Sequence, residues 1–366
     1  MKCHISIIIP VYNSGEYLER CLKSVTSQTL RDIEIFCIDD GSTDNSWNII
    51  QEFAERDDRI TALRQSNAGA AVARNRGLER AKGEYIGFVD ADDYVDGAYF
   101  ECLYNAAVSK DADVARAYVS VEWFGGESGH TQHAFDTKES YENHYNVSLR
   151  GSTEENGHNL NGVIWLSIYR HSLLKQNAIS FVPELRTGQD NIFNLEVSCY
   201  LNKVVYTKKK VYYHRVVRDG SLMSSYNYTD DGLFSRALVL ERAVAILNSK
   251  PDYDKDIYVS RVVDILLFIR ERLKYIKSTT RARKIAELLS KAWQGVRYKQ
   301  EAIDVGVGEE YAVALGSSDE MYRFIDRVSH PNRGRVKALV GKMVKAVLPH
   351  GVVVAYKRYK DARRES

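Results

Sequence analysis

Three carboxylates stand within four residues at Asp90-Ala91-Asp92-Asp93, directly after the apolar run Tyr85-Ile86-Gly87-Phe88-Val89. Like charges this close repel and raise each other's pKa unless a cation sits among them. Their oxygens are hard donors of the kind that hold Mg²⁺ or Mn²⁺, ions that commonly share their coordination with a substrate's phosphates. The cluster therefore reads as a site for a divalent metal and a nucleoside diphosphate. The same residues would also serve as an Asp-rich turn that satisfies its own backbone. Taken alone, the spacing leaves both open.

The elements that must position this cluster alternate along the chain. Ile5 to Val11 is a β-branched run suited to a buried parallel strand. Tyr12-Asn13-Ser14-Gly15 is a turn, and Tyr17, Leu18, Cys21, Leu22 and Val25 then share one helical face. Ile33 to Ile38 is a second strand, ending at Asp39-Asp40-Gly41-Ser42-Thr43-Asp44. Ser42 or Asp44 is expected to cap a helix carrying Trp47, Ile50 and Phe53. Ile60 to Leu63 is a weak third strand, Ala70 to Ala81 a helix, and Tyr85 to Val89 the strand that delivers the carboxylates. This order predicts an α/β fold with a doubly wound, mainly parallel sheet, and ligands bind such sheets beyond the carboxyl ends of the strands. Tyr12-Asn13, Asp39-Asp40 and Asp90 to Asp93 would share that edge as one site.

Four motifs in this order carry a resemblance: Ile-Pro-Val-Tyr-Asn, Asp-Asp-Gly-Ser-Thr-Asp, Asn-Ala-Gly-x4-Ala-Arg-Asn and Phe-Val-Asp-Ala-Asp-Asp. Together they resemble family 2 of the glycosyltransferases, densely over residues 4 to 95 and more weakly to about 225. The resemblance implies the GT-A fold and transfer with inversion from a nucleotide-sugar. It places Pro10, Val11, Tyr12 and Asn13 around uracil and ribose, with Asp40 accepting from the uracil N–H. Asn67 and Arg74 join the donor pocket, and the guanidinium would meet the diphosphate in bidentate fashion. Arg76 and Arg80 read as solvated. Asp90 and Ala91 would contact the ribose region, and Asp92 would be the main ligand to Mn²⁺ or Mg²⁺, with Asp90 as a further one.

By the same resemblance Asp190 is the general base. It lies in Arg186-Thr187-Gly188-Gln189-Asp190, where the family pattern is Gly-Glu-Asp. Gln189 removes a neighbouring anion, which makes Asp190 less basic. An alternative role for Asp190 is a cap on a helix from Asn191 to Leu201. Val211 to Ser221 resembles the strand and loop that close over the donor. There His214 replaces a Tyr and is a candidate further metal ligand or, protonated, a diphosphate contact. Arg215 and Arg218 are candidate phosphate contacts, assisted by Ser221.

With 366 residues, 44% of them apolar, the chain has room for a large catalytic domain and a smaller module. The expected organisation is a catalytic domain at 1–227, split at residue 95 into nucleotide-binding and acceptor-binding halves. A helical module at 228–330 follows, a scaffold or a homo-oligomer contact, and then a basic tail at 331–366. Five scattered cysteines read as reduced thiols, and neither a signal peptide nor a spanning helix is visible. Residues 120–162 are polar and without period, and acceptor recognition is expected there, through Trp123, Tyr141 and Tyr145 and through Trp165 and Tyr169 just beyond.

In the tail, Val336, Leu339, Val340, Met343, Val344, Val347 and Leu348 form one helical stripe. Residues 333–364 hold ten Lys or Arg and one Asp, although the whole chain is only +2. This pattern fits an interfacial membrane anchor on the cytoplasmic face, and so a lipid-linked saccharide acceptor for a UDP-sugar donor. The alternative is a helix packed on the catalytic domain. Nucleic acid is a poor fit, since no base-reading motif accompanies the charge. A nucleotidyltransferase, a non-catalytic nucleotide-sugar or glycan-binding protein, and a partner-recruiting subunit stay open as other functions.

Overall fold

The apolar run at the N-terminus forms β1 (Ile5–Val11), of which all but Pro10 is buried. Its side chains alternate between two cores, as a strand with two covered faces requires. Ile5, Ile7, Ile9 and Val11 join one core, and Ile8 joins the other with Phe36 and Ile38. A computed structural model describes residues 3–124, 130–135, 163–207, 212–218 and 226–329. It divides into two units, Met1–Ser224 and Ser225–Ser366.

In the first unit β1 is followed by α1 (Leu18–Thr26), β2 (Ile33–Asp39), α2 (Ser46–Arg56), β3 (Ile60–Arg64), α3 (Ala70–Leu78) and β4 (Tyr85–Phe88). Leu18, Cys21, Leu22 and Val25 of α1 are buried on one stripe. Each such Leu or Val contributes about 1.5–3 kcal/mol on burial. The chain continues through β5 (Tyr94–Val95), α4 (Tyr99–Lys110), β6 (Val114–Arg116), β7 (Tyr118–Phe124) and β8 (His130–Phe135). After residues outside the description come β9 (Ser167–Arg170), α5 (His171–Gln176), α6 (Gln189–Ser198), β10 (Val204–Tyr206) and β11 (Tyr212–Arg218).

Seven strands form one sheet in the order β10-β6-β9-β4-β1-β2-β3, and four form another in the order β5-β11-β7-β8. In the larger sheet only β9 runs antiparallel to its neighbours, β4 and β6. The expected mainly parallel, doubly wound sheet is what forms. Side chains of α1, α2 and α4 pack on one face, and those of α3, α5 and α6 on the other.

Of the two expected caps of α2, Asp44 bonds to its first turn and Ser42 does not. Asn45 occupies the N-cap position without a side-chain hydrogen bond. One residue earlier, Asp44 Oδ1 accepts from the N–H of Ser46, the first residue of α2, at 3.0 Å, while its Oδ2 and Ser42 Oγ join the loops after β1 and β2.

The second unit opens on a 3₁₀ turn (Tyr226–Tyr228) and is helical. Its helices are α7 (Asp230–Asn248), α8 (Lys255–Arg272), α9 (Thr279–Gly295), α10 (Lys299–Ala302), α11 (Glu309–Leu315) and α12 (Ser318–Ser329). Thr229, Asp254 and Ser278 cap α7, α8 and α9 by accepting from the N–H of Gly232, Ile257 and Arg281. α9 packs on both α7 and α12. Among the described residues no helix is long and apolar enough to cross a membrane. The stripe at 336–348 and its basic surroundings lie outside the described residues.

Gly77 sets how closely α3 approaches β1. A Cβ there would lie 2.7 Å from Ile8 Cγ2 and 2.9 Å from its Cγ1. Gly77→Ala is expected to cost about 1–3 kcal/mol through overpacking, read as a lower urea midpoint at unchanged slope. An unchanged midpoint would mean that the helix shifts freely.

Candidate functional site

The three polar strand ends meet at one edge because β4, β1 and β2 are adjacent and parallel. Val11 stands in register with Asp39, so Tyr12-Asn13 and Asp40 leave the sheet side by side. Asn13 turns the chain with φ 48°, a left-handed conformation that Asn tolerates. Its N–H donates to Ser42 Oγ at 3.0 Å, and its Oδ1 accepts from the Thr43 N–H at 2.8 Å. Ser14 N–H donates to Ser46 Oγ at 2.9 Å, and Gly15 N–H to Asp44 Oδ2 at 2.9 Å. These bonds hold Tyr12 at the rim with 49% of its surface exposed. Val11 is buried, so only its backbone faces that edge.

Asp39 is fully buried and meets Arg64 Nε at 3.0 Å. Asp40, at 3% exposure, accepts from Gln65 Nε2 and the Ala68 N–H on Oδ1, and from the Gly69 N–H on Oδ2, each at 2.8 Å. Asn67 Nδ2 donates to the Asp40 carbonyl at 3.1 Å. Asp40 thus fixes the loop that leads into α3. Gly41 allows the close approach: with φ +76°, its Cβ would lie 2.9 Å from the Asn67 nitrogen.

Arg74 joins the two halves of the site. It is 5% exposed on α3. Its Nη2 donates to Asp90 Oδ1 at 2.8 Å, and its Nη1 lies 3.5 Å from Asp190 Oδ1. Burial by itself would lower the guanidinium's pKa. Asp190 and Asp90 outweigh it, and the net direction is upward. Asp190 sits in the first turn of α6, after Gly188 with φ 77°, where the helix dipole favours an anion. Asp90 is steadied from the other side, its N–H donating to Tyr213 Oη at 2.9 Å. Tyr213 is buried and stacked on Trp165 at 4.4 Å. Burial, then Asp93 and Asp90, push its phenol well above the ordinary value, so it stays neutral.

His214 lies on β11 opposite Tyr94 of β5. Its ring lies flat on Tyr94 at 4.3 Å, and Nε2 meets Asp96 Oδ1 at 2.7 Å. Arg215 and Arg218 stand on β11 opposite Val121 and Phe124 of β7, and their side chains lie outside the description, as does Ser221. Trp165 and Tyr169 are core residues, 3% and 0% exposed, and do not present rings to an acceptor. Tyr169 instead donates to Asn194 Oδ1 at 2.7 Å. Tyr141, Tyr145 and the Trp123 side chain are outside the described residues. The residues that the sequence did not single out are Tyr213, Gln65, Arg64 and Phe181, the last with its ring 5.4 Å from the Arg74 guanidinium carbon. Only Tyr213 carried a signal, as an apolar ring on the strand expected near the donor.

Residues 6–178 match the family model for glycosyl transferase family 2. These residues form a domain of that family's type within the first unit. A glycosyltransferase of Escherichia coli, YibD, is 36% identical over 217 residues, covering 57% of this chain and 60% of that protein. Poly(ribitol-phosphate) beta-N-acetylglucosaminyltransferase TarS of Staphylococcus aureus is 29% identical over 254 residues, 67% of this chain and 40% of that protein. The chain thus spans less than two thirds of either relative. A crystal structure of TarS residues 1–349 with UDP-GlcNAc superposes with TM-score 0.66 at 21% identity, covering 92% of this chain and 93% of that one. A Pyrobaculum calidifontis mannosyltransferase with GDP-Man and Mn²⁺ superposes with TM-score 0.52 at 15% identity over 91% of this chain and 89% of that one. The family 2 domain has the GT-A fold.

Within this domain Asp90, Asp92 and His214 do not form a three-ligand cluster. Among the described residues no group of three or more His, Cys, Asp or Glu is arranged to hold a metal ion. Asp90 meets Arg74, and His214 meets Asp96. The donor set that remains at the strand end is Asp92, half-buried, with Asp90 beside it. Hard carboxylate oxygens in that number suit a cation that keeps waters and phosphate oxygens as its other ligands.

Arg74→Met leaves two carboxylates facing each other without their cation. It is expected to lower stability by about 3–5 kcal/mol in urea unfolding, with Arg74→Lys intermediate. A loss under about 1 kcal/mol would show that the pair is worth no more than a surface bridge.

A second outcome concerns acid. Partial burial pushes the Asp44 carboxyl up, but hydrogen bonding to Ser46 and Gly15 outweighs it and holds the group below its ordinary value. A depressed folded pKa contributes stability above the unfolded value of about 4 and loses it as pH falls through the folded one. Asp44→Asn should therefore flatten the acid limb of a stability profile below about pH 4, and an unaltered limb would overturn the assignment.

Proposed function

We propose that the chain is an inverting, metal-dependent glycosyltransferase that moves a sugar from a UDP-sugar to a saccharide acceptor, with Asp190 as general base. The observation that carries this reading is the Arg74 bridge. It holds Asp190, from a distant part of the chain, beside the acidic strand end at the edge where a doubly wound sheet binds its ligand.

In this reading Tyr12 gives the nucleobase an exposed ring, and the backbone of Pro10, Val11 and Asn13 lines the same side. Asp40 accepts one hydrogen bond on Oδ2, so a lone pair remains for a uracil N–H, while Asn67 keeps its loop in place. Asp92, with Asp90 and Ala91 beside it, would hold Mn²⁺ or Mg²⁺ at the strand end. When bound, the metal neutralises the charge that builds on the leaving nucleoside diphosphate. Asp190 takes the proton of the attacking acceptor hydroxyl as the sugar carbon inverts. Arg74 keeps that carboxylate at the strand-end edge. Arg215 and Arg218 complete the phosphate contacts.

Mn²⁺ beside GDP-Man in the archaeal fold relative supports the metal, and UDP-GlcNAc in TarS supports a uridine donor. The beta linkage in the name of TarS supports inversion, and its poly(ribitol-phosphate) acceptor supports a cell-surface glycan. The basic stripe at 333–364 supports peripheral attachment at the inner face of the membrane and hence a lipid-linked acceptor.

The test is UDP release from a panel of UDP-sugars, with Mn²⁺ and with EDTA. One donor is expected to give metal-dependent release that falls about 10²–10⁴-fold in Asp190→Asn and loses its metal response in Asp92→Asn. UDP binding without release from any donor, even with glycan acceptors supplied, would sink the catalytic reading and leave a nucleotide-sugar-binding protein.

A further inference from the structure

We propose that the helical unit carries its own binding site for a neutral saccharide, a cavity of about 410 Å³ at the start of α7 and α9 with Tyr228 and Tyr275 as its platform. This goes beyond the transfer reaction, because it lies wholly within residues 228–281 and needs no donor.

Two large rings stand out at this cavity. Tyr228 is 45% exposed and Tyr275 39%, and they meet edge to face at 5.1 Å. Large exposed aromatics at a concave polar site are the usual furniture of a binding pocket. A pyranose offers the matching surface, with axial C–H bonds for the ring face and hydroxyls around the rim.

The polar groups decide the ligand's charge. The N-terminus of α9 would draw an anion, but that position is filled from within the chain. Asp230 accepts from the N–H of Lys277 and of Ser278, each at 2.8 Å. Ser278 accepts from the Arg281 N–H, and Thr229 caps α7 in the same way. The Arg281 guanidinium pairs with Asp231. Among the lining residues two carboxylates face two cations, Lys277 and Arg281, while the rings are flanked by Arg272, which is paired with Glu271, and by Lys274. A phosphorylated ligand would have to displace Asp230 or Asp231. A neutral polyol keeps both and bonds to their free lone pairs and to the Lys277 ammonium.

The full chain is tested by saturation-transfer NMR against an array of neutral di- to tetrasaccharides, with glycerol phosphate as the charged probe. At least one neutral saccharide is expected to bind wild type and Asp190→Asn alike. Tyr228→Ala or Tyr275→Ala should weaken it about tenfold or more, and the Phe variants should retain it. Both rings are exposed, so the Ala variants are required to keep the wild-type unfolding midpoint. Absence of any neutral binder, binding that survives both Ala substitutions, or binding of glycerol phosphate in preference would overturn the proposal. The UDP-release assay is untouched by any of these results, so the two readings fail separately.

Discussion

A guanidinium buried to the extent of Arg74 is tolerable only with its counter-charges in place, and the rest of the site follows from that demand. α3 must lie close enough to β1 for the cation to reach beneath the strand ends, which the small Gly77 permits. Asp90 must turn inward to meet it, which leaves Asp92 as the carboxylate beside it toward the rim. The chain after β9 must return so that the first turn of α6 brings Asp190 to the same cation. Three segments distant in sequence are thereby fixed within one hydrogen-bonding distance scale.

Around this bridge the loops hold one another. Asp40 is hydrogen-bonded by the loop ahead of α3, Asp39 meets Arg64, and Asn13 ties the β1 loop to the β2 loop. Each carboxylate here does structural service in the same geometry that would present it, or its neighbour, to a nucleotide. A site built this way is preorganised, since its carboxylates are already held by hydrogen bonds before any ligand arrives.

The fold was legible in the sequence because its signals are local. Runs such as Ile5 to Val11 and Ile33 to Ile38 have the length and β-branching of buried strands, and the helix stripe from Leu18 to Val25 is exact in its spacing. The carboxylates at strand ends were equally visible. What the residues could not give was partnership. The family motif offered Arg74 to a diphosphate, whereas its observed partners are two Asp residues, one of them 116 positions away. Trp165 and Tyr169 read as acceptor rings, since nothing local distinguishes an aromatic that stacks on a sugar from one that stacks on Tyr213. The same limit applied to His214, whose neighbour Asp96 is set by the pairing of β11 with β5.

The antiparallel β9 has a consequence for how the chain is made. It fills the place between β4 and β6, yet it is synthesised about 80 residues after β4. At translation rates of about 5–20 residues per second, the edge of β4 waits roughly 4–16 s for its partner. During that interval the nascent domain presents an apolar strand with open backbone groups, a template for pairing with another chain. The step most exposed to aggregation is thus the insertion of four residues, Ser167–Arg170, into a sheet already half built.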